Sequence, residues 1–92
     1  MRRTASEPLW RDAVGRQLRD ERLRLGERIA DVAERAGVSP QYLSELERGR
    51  KDASSEMLAA VSGALGVSVH ELTRSAGRHL SSWNSGPTCL AA

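Results

Sequence analysis

The sequence predicts an all-α fold, five short helices built around a helix-turn-helix, and three observations carry that expectation. Leu, Ala and Arg abound while Trp10, Tyr42 and Trp83 are the only aromatic residues, a composition that favours helices over sheets. Apolar residues recur at spacings of three, four and seven, and no strand-like alternation interrupts them. Glycines 26, 37, 49 and 66 each follow a stretch of helical period, where glycine suits the left-handed conformation that ends a helix.

Taken in order, the first helix is expected from about Leu9 to Leu25, with Val14, Leu18 and Leu25 in one apolar stripe and Trp10 as its anchor. A second, about Ile29 to Ala36, buries Ile29, Val32, Ala33 and Ala36 before Gly37 turns the chain. Ser39 and Pro40 then announce a third, Ser39 to Glu47: a hydroxyl that accepts the orphan amide bonds, followed by a ring that fits the first helical position. Leu43 and Leu46 form its apolar side, and Gly49 ends it. The fourth helix, about Ser55 to Leu65, repeats Met57, Leu58, Val61 and Leu65 at helical spacing. Ser68 with Glu71 is a capping-box pattern that starts a fifth, expected to stop near Gly77. Residues 1–8 read as a flexible N-terminal segment, 9–77 as the folded domain and 78–92 as a flexible, Ser-rich tail.

A chain of 92 residues holds one small core. Folding buries only roughly two-thirds of its unfolded surface, which makes a homodimer a reasonable expectation from size alone. Thirteen Arg and one Lys against twelve acids leave a net charge of +2, too little to indicate a partner, so local placement of charge must carry the functional argument. The predominance of Arg favours planar, bidentate contacts to phosphate or guanine. Cys89 is the only cysteine, which excludes an intrachain disulfide. With no apolar leader behind Arg2 and Arg3 and no run of the roughly 18 apolar residues a membrane span requires, the reading is a cytoplasmic protein that contacts no membrane.

The most specific signal is the set Val32, Ala33, Ala36, Gly37, Val38, Leu43 and Leu46. Two helices crossing steeply over a tight turn need a small residue at the crossing (Ala33), positive φ in the turn (Gly37), a plug inside it (Val38) and leucines that fall back on the Val32 side. Any one of these fits a plain helical hairpin, but seven within fifteen residues, followed by a polar and well-capped helix, specify a helix-turn-helix.

The segment AGVSPQYLSELERGR resembles the Cro/cI-like, or XRE-type, regulators, five-helix repressor-like DNA-binding domains, over about residues 12 to 73. Within them, LWRDAVGRQLR and ERGRKDASSEMLAA look closest to regulators of Clp protease genes. The resemblance implies a sequence-specific transcriptional regulator that binds double-stranded DNA as a homodimer on an inverted repeat, without a cofactor. It assigns base reading to Gln41, which pairs bidentately with adenine, and to Ser44 and Glu45, the latter accepting from the cytosine amino group. The alternative for Glu45 is a solvated residue that merely repels wrongly placed phosphate. Phosphate contacts fall to Arg28, Ser39, Tyr42, Arg48, Arg50 and Lys51, with packing beside the turn as the alternative for Tyr42 and solvation for Arg50 and Lys51. Arg22 and Glu47 match the positions of a structural ion pair; a phosphate contact is the alternative for Arg22.

The chain departs from the family at Ile29, where many members have Gln, at Arg28, which replaces a Thr cap, and at Pro40 and Gln41, which differ from the nearest group. Leu90, Ala91 and Ala92 look like a degradation tag read by an ATP-dependent protease, with a frayed end as the plain alternative. His70 and His79 read as solvated, since no metal-ligand spacing surrounds them. Trp83 would dock on the domain or on a partner. No nucleophile with base and orienter and no phosphate-binding Gly loop is present, so an enzyme is not expected. The rival class is an antitoxin or protein-interaction module whose tail from about Arg78 wraps a partner.

Overall fold

The computed structural model describes residues 10–84, the last four by backbone alone. Five helices follow one another: α1 Trp10–Arg24, α2 Ile29–Ala36, α3 Pro40–Glu47, α4 Ser55–Ala64 and α5 Val69–Asn84. Their starts are chemical. Ser39 Oγ accepts the Tyr42 amide at 3.0 Å with Pro40 in the first turn of α3, and Ser54 Oγ accepts the Met57 amide at 3.1 Å. Ser68 and Glu71 exchange side-chain bonds with each other's amides at 3.0 and 3.1 Å, the reciprocal capping box. Glycines 26, 37, 49 and 66, at φ between 70 and 77°, are the positive-φ residues of the described chain.

One core joins all five helices: Ala13, Val14 and Leu18 from α1, Val32 and Ala33 from α2, Leu43 and Leu46 from α3, Val61 with the following Leu65, and Leu72 and Ala76 from α5. Full burial of each Leu or Val is worth about 1.5 to 3 kcal/mol. Ile29, Ala36, Val38, Tyr42 and Leu58 pack against this core while partly exposed. No helix of the described residues is long and apolar enough to cross a membrane.

Three expectations are corrected. The fifth helix does not stop at Gly77 but runs through it to Asn84, so residues 78–84 belong to a helix and not to a loose tail. Leu72 and Ala76 are buried and Leu80 packs against the core. His79 Nε2 lies 3.0 Å from Gln17 Oε1 and 3.3 Å from Asp20 Oδ2. Packing on α1 therefore outweighs the cost of about 1 kcal/mol for glycine within a helix, and His79, read as solvated, is an interhelical contact.

Leu25 is 41% exposed instead of closing the stripe, because α1 ends at Arg24 and Gly26 turns the chain away. Gln17, one turn before Glu21, takes the inward position and stays satisfied by bonds to Glu21 and His79. Trp10, 47% exposed, lines a surface groove together with Val14, Leu18, Leu46 and Leu58.

Candidate nucleic-acid interface

The turn between α2 and α3 follows from Gly37. At φ 77° its amide reaches Glu34 O (3.2 Å) and the next amide, Val38, reaches Ala33 O (3.0 Å), which closes α2 and starts α3 two residues later. Ala33 is fully buried at the crossing and Val38 half-buried inside the turn. Leu43 and Leu46, 1% and 2% exposed, take the inner side of α3.

Gln41, Ser44, Glu45 and Arg48 stand at i, i+3, i+4 and i+7, so they share the other face. Gln41 and Arg48 are exposed; Ser44 and Glu45 are half-buried. That face presents an amide, a hydroxyl, a carboxylate and a guanidinium within two turns, hydrogen-bonding groups suited to base edges and phosphate oxygens. Arg50 and Lys51 continue it into the loop, both exposed. Lys51 Nζ lies 3.8 Å from Glu45 Oε1, so two of the expected DNA contacts face each other.

Of the remaining candidates, Ser39 uses its hydroxyl oxygen as the α3 cap, and Tyr42 packs partly against the core. Arg28 precedes α2 without capping it and pairs with Asp31 at 3.1 and 3.3 Å. Hydrogen bonding to Asp31, then its charge, raises the Arg28 pKa above the ordinary guanidinium value. The side chain remains exposed beside the first amides of α2. Leu90, Ala91 and Ala92 lie outside the described residues, as do Cys89 and the side chain of Trp83.

Arg22 and Glu47 hold the assembly from below. Arg22 Nε and Nη2 donate to the two Glu47 carboxylate oxygens at 2.8 and 2.9 Å, and Nη1 donates to Glu27 O at 3.0 Å. The side chains are 11% and 5% exposed. The hydrogen bond to Glu47 raises the Arg22 pKa against the opposing effect of burial. A bidentate pair of this kind fixes angle as well as distance, and here it ties the last residue of α3 to α1.

Two positioning residues escaped the sequence reading. Gly15 is buried where α1 crosses the end of α3: a Cβ there would lie 2.8 Å from Glu47 O and closer still to Leu46 O. Arg11 Nε donates to Gly49 O at 2.9 Å and Nη1 lies 3.6 Å from Asp52, which pins the loop carrying Arg50 and Lys51. Neither has a periodic signal, since Gly15 resembles a weak point in a helix and Arg11 a solvated first-turn cation.

Residues 18–72 match the helix-turn-helix family. The transcriptional regulator ClgR of Mycobacterium tuberculosis is 42% identical over 72 residues, 78% of this chain and 64% of that protein, so the chain spans less than two thirds of this curated relative. The crystal structure of the clp gene regulator ClgR from Corynebacterium glutamicum superposes with a TM-score of 0.83 at 47% identity, covering 86% of this chain and 84% of that one. The master regulator for biofilm formation SinR, solved in complex with DNA and matched also in Bacillus subtilis sequence, superposes with a TM-score of 0.61 at 38% identity over 64% of this chain and 95% of that one.

Proposed function

We propose that this chain, which belongs to the XRE-type helix-turn-helix family, is a cytoplasmic sequence-specific DNA-binding transcriptional regulator that acts as a homodimer on an inverted repeat. The observation that carries the reading is α3 itself: Leu43 and Leu46 are buried while Gln41, Ser44, Glu45 and Arg48 share the outward face. In the major groove Gln41 pairs with adenine, and Ser44 and Glu45 read neighbouring positions. Arg48, Arg50, Lys51, Tyr42, Ser39 and Arg28 hold the flanking phosphates. Two α3 helices sit roughly 34 Å apart, one turn of DNA, in successive major grooves.

The likeness to regulators named for clp genes supports Clp-type protease genes as targets. Leu90, Ala91 and Ala92 are the residues assigned to recognition by an ATP-dependent protease in this reading, which would tie the lifetime of the regulator to the proteolysis it controls. Replacing Ala91 and Ala92 by Asp should lengthen the half-life in cells; an unchanged half-life would remove the tag from the account. Selection of bound duplexes from a random pool tests the regulator reading. The expected result is an inverted repeat with half-site centres about 10 base pairs apart, and recovery of unselected sequence would refute it.

A further inference from the structure

Glu45 and Lys51 are both assigned to DNA by the reading above, yet in the free chain each faces the other. The juxtaposition is built by the backbone. Gly49, at φ 74°, folds the chain back over the last turn of α3, so that the Gly49 amide donates to Leu46 O at 3.1 Å and the Arg50 amide to Glu45 O at 2.9 Å. The next residue, Lys51, then stands over the Glu45 carboxylate, with the loop held by Arg11 at Gly49 O. Arg48 and Arg50, on the same edge, make no ion pair among the described residues. The carboxylate of this face thus engages the lysine and leaves both arginines open.

We propose that Lys51 is a conditional phosphate contact and that Glu45 sets the condition, an inference that rests on the DNA-binding reading above. A carboxylate brought into the groove without a donor is repelled by the phosphates, and Lys51 is its available neutralising partner. On such a sequence the pair stays closed and Lys51 is withheld from the backbone. Where a cytosine amino group faces Glu45, the carboxylate accepts from the base, and Lys51, a compact charge on a flexible stem, swings to a phosphate. The 3.8 Å separation is longer than a hydrogen bond, so the exchange breaks no tight contact. Sequence is thereby converted into one extra backbone contact, and discrimination comes from withholding affinity on wrong DNA as well as adding it on the right site.

The test is a salt titration of binding to random-sequence duplex, where base readout contributes nothing, for wild type, Glu45→Gln, Lys51→Gln and the double variant. Releasing Lys51 to one more phosphate should steepen the log affinity against log salt slope of Glu45→Gln by about 0.9 and raise its affinity about fivefold near 0.15 M salt. In the Lys51→Gln background the same substitution relieves only the carboxylate's repulsion and should give a clearly smaller gain in slope and affinity. An equal gain with and without Lys51 would reduce Glu45 to simple repulsion and overturn the proposal, as would no gain at all. If no protein of the set bound duplex even at low salt, the regulator reading itself would fall, and the inference with it.

Discussion

A methyl group on Gly15 would press into the backbone carbonyls of Leu46 and Glu47, atoms that cannot move without shifting the end of α3. Overpacking a closed core costs about 1 to 3 kcal/mol. Gly15→Ala should therefore lower the urea midpoint by that order and loosen α3 specifically; a midpoint equal to wild type would show that the two helices can separate freely. Glu47, just beyond that crossing, is nearly buried with Arg22. Arg22→Met alone strands its charge and should cost about 3 to 5 kcal/mol, a large part of the roughly 5 to 15 kcal/mol that holds a domain together. Adding Glu47→Leu should recover most of that loss in a double-mutant cycle, and independent effects of the two changes would mean that the pair contributes no coupling. The pair was legible because both residues sit at family positions. Gly15 was not, since the atoms that exclude a side chain belong to Leu46 and Glu47, far downstream in the chain.

At the scale of elements, the starts of α3, α4 and α5 and the four glycine turns were readable because each is a local event: a cap, a proline, a positive φ within a few residues. The end of α5 was not. Its second half carries no strong local period, and what extends it is distant: Leu80 against the core and His79 against Gln17 and Asp20 of α1. Gly77 is the consequence to examine. It is helical, half-buried, and a Cβ there would meet nothing within 4 Å. Gly77→Ala should stabilise the domain by up to about 1 kcal/mol, since alanine gains helix propensity without a clash. Thermal unfolding checks it, and a fall in Tm would mean that α5 does not run through residue 77 in solution. Leu25 failed for the converse reason: its spacing suits the stripe, but a turn signal at Gly26 takes the chain out of register first.

For the whole molecule, net charge says little and placement says more. Most of the described acids and bases neutralise one another locally, as in Arg24 with Glu21, Arg28 with Asp31 and Arg35 with Glu27. Arg48 and Arg50, like Arg16, Arg19 and Arg74, are exposed and make no ion pair among the described residues, and these two stand at the end of α3, next to the face on which Gln41 is exposed. This placement is what a duplex would meet, and it was legible in outline because the motif predicts which helix turns its polar side outward. The Glu45–Lys51 contact was not, because it depends on how Gly49 folds the loop. The central claim is that the outward face of α3 reads base edges, and the most direct measurement compares Gln41→Ala with wild type on a selected site and on random duplex under the same salt. The account predicts a loss of about 1 to 3 kcal/mol on the selected site with relaxed preference at one base pair, and no change on random DNA. Equal losses on both, or none on either, would contradict it.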